Sequence, residues 1–167
     1  MIEKNVIDLK TIVKLCECTI TKDIWYNDSE CTKRFKLEFS RFAEELGYQV
    51  QPNQQNRKEF LTIDMVWWSN DRLVAAIEHE NAPGSDPIAD EWKKLVYVDA
   101  DYRILISYCS RADLRKDWLR RAGKIISRNP RVKEAYFYLL LGDETVWGFR
   151  GYEFDTSGIL IDRYSQW

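Results

Sequence analysis

The segment Phe60–Glu80, FLTIDMVWWSNDRLVAAIEHE, reads as two apolar strands, Phe60–Trp68 and Arg72–Glu80, joined by the turn-forming Ser69-Asn70-Asp71. Those apolar runs hold three carboxylates. Asp64 lies inside Leu61–Trp67, and Glu78 and Glu80 end the run that starts at Leu73. On a strand, residues two apart share a face, so Glu78 and Glu80 project together, and Asp64 on the neighbouring hairpin strand can meet them. A carboxylate set against an apolar layer needs a compensating positive group, because desolvating an unpaired charge is costly. Converging carboxylates also raise each other's pKa values unless a cation sits between them. Oxygen-only ligands with open positions suit Mg²⁺ or Mn²⁺ rather than zinc.

Working outward toward the N-terminus, Phe35, Phe39, Phe42, Ala43 and Leu46 recur at three and four, which predicts an amphipathic helix over Glu30–Leu46 stopped by Gly47. Tyr48–Val50 begins an extended piece, followed by a polar loop over Pro52–Glu59. Ile2, Val6, Leu9, Ile12, Val13 and Leu15 have near-helical spacing in the first 25 residues. Toward the C-terminus, Asn81–Asp90 is a loop, and a helix over about Ile88–Val98 carries Trp92, Leu95 and Val96 on its apolar side. Tyr102–Tyr108 has the continuous apolar pattern of a buried strand. Ala112–Ser127 is a second amphipathic helix, stopped by Asn129-Pro130. Ala135–Leu141, the turn Gly142-Asp143-Glu144, Val146–Phe154 and Ile159–Ile161 complete a β tail. The expected fold is α/β, a mixed central sheet flanked by helices, in a single domain spanning residues 1–167.

Charge is divided unevenly along the chain. Arg111–Lys133 holds nine basic residues against Asp113 and Asp117, whereas Leu61–Ser110 holds nine acidic residues against four basic, so the net charge of −2 hides both. A basic segment attracts phosphate and an acidic cluster attracts divalent cations. Lys116, Arg120, Lys124 and Arg128 recur every fourth residue and form one stripe of their helix, read either as a solvated face or as a phosphate-binding one. Cys16, Cys18, Cys31 and Cys109 are too few for a disulfide scaffold and lack a nearby fourth zinc ligand, so they are expected as reduced, mostly buried thiols. No apolar run reaches the roughly 20 residues that span a bilayer, and the N-terminus lacks a signal-peptide pattern, so the expected location is cytoplasmic with no membrane partner.

Asp64, thirteen intervening residues and Glu78-x-Glu80 at a strand end resemble the PD-(D/E)XK nuclease superfamily. Gly47-Tyr48-x-Val50 after the preceding helix is similar to its junction-resolvase members. The shared core of that superfamily is a helix, a meander of strands carrying the acidic pair, a helix and another strand. Here the core would span about residues 29–141, a restriction-endonuclease-like fold with an N-terminal helical segment and a C-terminal β extension. Two positions depart from the pattern: Ile63 precedes the aspartate where proline is common, and Glu80 takes the lysine position, as in the E-x-E variants. The resemblance implies a Mg²⁺- or Mn²⁺-dependent endonuclease acting on DNA. Asp64, Glu78 and the His79 backbone carbonyl would hold the metal, with Glu80 holding a second metal or acting as base. The family's lysine would have moved to Lys93 or Lys94 on the following helix. Glu38, or alternatively Glu45, would add a carboxylate from the first helix. Lys116, Arg120, Lys124 and Arg128 would contact the nucleic acid.

The competing readings are structural. Asp64 could be a satisfied turn or salt-bridge carboxylate, and the His79 side chain faces away from the two glutamates. Trp92 and Trp118 fit the apolar faces of their helices, while Trp67 and Trp68 divide between core and surface. Asp86, Asp90 and Glu91 belong to a loop and a helix start, where acidic residues are favourable. A nuclease-like fold without catalysis, serving as a binding module or regulatory subunit, is the alternative function. Tyr164-Ser165-Gln166-Trp167 is a candidate surface for a homodimer or a larger complex.

Overall fold

The computed structural model describes residues 7–52, 60–129 and 134–166. Ile2, Val6, residues 53–59 of the polar loop, Arg131, Lys133 and Trp167 lie outside them. The described chain runs α1 (Leu9–Thr19), α2 (Asp28–Glu45), β1 (Gln49–Gln51), β2 (Met65–Ser69), β3 (Arg72–His79), α3 (Lys93–Val96), β4 (Tyr102–Tyr108), α4 (Ala112–Ser127), β5 (Tyr136–Asp143), β6 (Gly148–Phe154) and β7 (Leu160–Tyr164). The seven strands lie side by side in chain order. β1–β2–β3 and β5–β6–β7 pair antiparallel, whereas β3–β4–β5 are parallel. The expected α/β architecture, a mixed sheet between helices, is the observed one.

Alternation along the central strands assigns the two faces. Ile77, Ile104, Ile106, Tyr138 and Leu140 pack with α1 and α2 through Ile12, Val13, Phe35 and Phe39. Ala76, Leu105, Phe137, Leu139 and Leu141 pack on the other face with Trp92, Leu95, Trp118 and Ile126. Because β4 is covered on both sides, its sequence shows no polar alternation. Trp67 is fully buried beside Phe39, Phe42 and Tyr48, and Trp68 is half-buried against Phe60. Asn27 caps α2 by accepting the Glu30 N–H at 3.1 Å. Asn27→Ala is expected to lower stability by about 1 kcal/mol, checked by a denaturant midpoint that moves without a change in slope.

Besides β6, which starts at Gly148 rather than Val146, and β7, which runs Leu160–Tyr164 rather than Ile159–Ile161, three differences from the sequence expectation move a polar residue. The first strand of the hairpin starts at Met65, not Phe60: Leu61 and Thr62 both have left-handed φ values, 51° and 59°, and fold Phe60 back onto Ile63. Asp64 therefore sits just before the strand rather than inside it. The expected helix over Ile88–Val98 opens with a wide π turn, Ile88–Trp92, in which the Pro87 carbonyl accepts both the Glu91 and Trp92 N–H groups at 3.0 and 2.8 Å. Only Lys93–Val96 follows as regular α-helix. The last difference is at Asp143, expected in a turn but belonging to β5. Its buried carboxylate meets Arg115 at 3.4 Å and Arg150 at 3.5 Å and accepts the Thr145 N–H at 3.0 Å, a set of partners that lets a polar residue remain in the layer.

Candidate functional site

The carboxylates gather where β3 ends beside α3. Glu78 follows Ala76 onto the α3–α4 face and is only 3% exposed. Its Oε1 lies 2.5 Å from Lys94 Nζ. The same ammonium lies 2.6 Å from Glu91 Oε2 and donates to the Thr62 carbonyl at 2.9 Å. Asp64 Oδ2 accepts the His79 backbone N–H at 2.9 Å, which ties the residue before β2 to the last residue of β3. One lysine from α3, one glutamate from the π turn, one from β3 and one aspartate from the hairpin thus form a single polar cluster at the edge of an apolar layer. The paired left-handed residues at Leu61 and Thr62 hold the carbonyl that Lys94 uses. Such conformations cost about 1–2 kcal/mol each for residues with a Cβ, and they gather at functional sites.

Burial dominates the electrostatics. It pushes the Glu78 carboxyl up to about 8, with Lys94 pulling it down and the charges of Asp64 and Glu91 raising it again. Partial burial acts against the Lys94 ammonium, but its bonds to Glu78 and Glu91 more than offset this and hold its pKa above the ordinary lysine value. Lys94 therefore stays charged at neutral pH, while Glu78 remains short of positive charge even with Lys94 beside it.

The other sequence candidates fall in different places. Glu80 lies beyond the end of β3, accepts the Ala82 N–H at 2.6 Å and lines a cavity of about 200 Å³ with Ser107, Tyr108 and Trp118. The His79 ring points to the opposite face, 4.9 Å from the Phe35 ring, with Nε2 2.9 Å from the Tyr108 hydroxyl. Desolvation lowers its pKa to about 4, so it is neutral at pH 7. Glu38 pairs with Arg41 at 3.0 Å, on the flank of α2 away from Thr32 and Lys36. Those two lie toward the end of β3: Thr32 meets Asn81, and the Lys36 charge acts on His79. Glu45 and Lys93 are exposed. Lys116, Arg120, Lys124 and Arg128 are exposed along α4, and Arg120 also pairs with Asp117 at 2.6 Å. The sequence reading missed Glu91 and the Thr62 carbonyl. A signal for Glu91 was present, since its three-residue spacing from Lys94 puts the two on one helical flank; the Thr62 carbonyl left none.

Asp64 lies near enough to Glu78 for its charge to raise the Glu78 carboxyl, and both offer only oxygen donors; Mg²⁺ is commonly held by one or two carboxylates together with waters and substrate phosphates. A buried carboxylate short of positive charge suits such an ion. Among the described residues no group of three or more His, Cys, Asp and Glu is arranged to hold a metal. No helix among the described residues is long and apolar enough to cross a membrane. No family model matches the chain, and no curated protein matches it in sequence.

Proposed function

We propose that this protein is a metal-dependent nuclease of the PD-(D/E)XK type that hydrolyses phosphodiester bonds in DNA, with Asp64 and Glu78 as metal ligands and Lys94 as the displaced lysine. The observation that carries this reading is the contact of Lys94 Nζ with Glu78 at 2.5 Å, from the helix after the acidic strand. The order α2, β1–β2–β3, α3, β4 and the strained turn before Asp64 support it as well. Mg²⁺ or Mn²⁺ bound between the carboxylates would polarise a phosphoryl oxygen and make its bound water more acidic. Asp64 is oriented for that role by the His79 N–H, and Glu78 by the rigid end of a buried strand. Lys94 brings N–H donors to a phosphate oxygen or to the attacking water. The apolar layer behind Glu78 limits competing water. The exposed basic stripe on α4 would contact the DNA backbone, and the four free thiols support a reducing, cytoplasmic setting.

Calorimetric titration with Mn²⁺, followed by plasmid and branched-DNA cleavage, tests the reading. Wild type is expected to bind Mn²⁺ saturably and to nick DNA in a chelator-sensitive way. Asp64→Asn is expected to bind Mn²⁺ roughly 10–100-fold more weakly. One observation favours a second reading, a nuclease-like binding module without catalysis: the Lys94 ammonium lies 2.5 Å from Glu78 and 2.6 Å from Glu91, where it serves as an internal counter-ion. Wild type that binds no Mn²⁺ with or without DNA, yet still binds DNA with a salt-dependent affinity, would replace the enzyme by the module.

A further inference from the structure

Glu91 has no role in the nuclease reading, yet it is built into the same cluster. Its carboxylate shares Lys94 Nζ with Glu78, at 2.6 and 2.5 Å, and Thr62 supplies a third contact through its carbonyl at 2.9 Å. It reaches that place because the π turn at Ile88–Trp92 brings Glu91 and Lys94 to the acids while Trp92, Leu95 and Val96 stay in the core. Lys94 thus has two carboxyl partners. A divalent cation taking Glu78 would bring positive charge close to an ammonium, and repulsion at that distance in a partly dehydrated site is large. An ammonium held by Glu78 alone would either exclude the metal or be expelled by it.

We propose that Glu91 is a positioning residue that holds Lys94 in the site when a divalent cation takes Glu78. This rests on the nuclease reading above and adds to it a second carboxylate that acts through the lysine rather than on the metal. In the metal-free protein one ammonium serves both glutamates. With metal bound, Lys94 leans on Glu91 and the Thr62 carbonyl, and one of its N–H bonds is freed toward phosphate or water. Glu91 therefore lowers the competition between lysine and metal for Glu78. A direct ligand would instead contribute to metal binding whether or not the lysine is present.

A double-mutant cycle read by Mn²⁺ calorimetry separates these roles. Glu91→Gln is expected to bind Mn²⁺ about 10–100-fold more weakly than wild type, because Lys94 then depends on Glu78 alone. Lys94→Met is expected to bind Mn²⁺ more tightly than wild type, and adding Glu91→Gln to Lys94→Met is expected to change its affinity less than threefold. Glu91→Asp, which retains the charge, should recover part of the loss. Melting temperatures of the metal-free variants verify that each is folded. An equal loss from Glu91→Gln in both backgrounds would make Glu91 a direct ligand and overturn the proposal. So would an unchanged affinity in Glu91→Gln itself, while wild-type binding would leave the nuclease reading standing. Wild type that binds no Mn²⁺ would overturn both.

Discussion

Glu78→Gln should unfold at a higher temperature than wild type at pH 8.5 and lose metal-dependent cleavage by on the order of 100-fold or more. The stability gain follows from burial. The folded carboxyl is raised to about 8 from an ordinary value of 4.5, so between those pH values the folded state holds a proton that the unfolded chain has released. Wild-type stability therefore declines as pH rises through that window, and the full penalty is present above about pH 8. Glutamine keeps the shape without the charge and has no such decline. At about 1.36 kcal/mol per pH unit the ceiling is ~5 kcal/mol, reduced in practice because the uncharged amide would no longer neutralise Lys94. For a domain of this length, a net gain of about 2–3 kcal/mol raises the melting temperature by roughly 4–12 °C at pH 8.5, fading to nothing near pH 4.5. Thermal scans across pH check it, and a difference that does not depend on pH would sink the assignment of Glu78 as the undercompensated charge. Saturating Mn²⁺ should raise the melting temperature of wild type and leave that of Glu78→Gln unchanged.

The second large effect lies on the same face of the sheet, where α4 meets the turn after β6. Gly158, in the turn between β6 and β7, lies against Gly123 on α4 so closely that a Cβ on either would fall within contact radius of the other's carbonyl oxygen. Gly158 also has φ +82°, a region that costs an ordinary residue about 1–2 kcal/mol. Gly158→Ala thus combines backbone strain with a clash between two backbones, neither of which can rotate away. The expected loss is about 3–5 kcal/mol, or on the order of 10 °C in melting temperature. Gly84 separates the two causes: its φ is +77°, but nothing lies within 4 Å of its added Cβ, so Gly84→Ala should cost only about 1–2 kcal/mol. Equal losses in the two variants would mean that the approach of α4 to the β6–β7 turn contributes nothing.

The fold was legible wherever one periodicity ran long enough to outweigh local exceptions. Tyr102–Tyr108 and Ala112–Ser127 are observed at the limits that their sequences predict, because an unbroken apolar run and a 3.6-residue apolar stripe each permit one way of burying their side chains. The hairpin that brings Asp64 to the end of β3 was also within reach, since a short hairpin follows local rules, although Asp64 binds the His79 N–H from just before β2. Glu38 shows where such reasoning stops. Its place beside the apolar positions of α2 left two flanks available, and only the contact of Thr32 with Asn81 determines which one faces the end of β3.

What the sequence by itself determined is the set of elements and the presence of carboxylates at the edge of an apolar layer. Tertiary structure decided what compensates them. Lys94 reaches Glu78, and Glu91 reaches Lys94, because a π turn offsets the helix after β3. Thr62 offers its carbonyl because two residues adopt left-handed conformations that nothing in their side chains favours. The physical reason is the same in both cases: backbone deviations of this kind are unfavourable locally and persist only because packing around Trp92 and charge pairing at Lys94 stabilise them across the sheet.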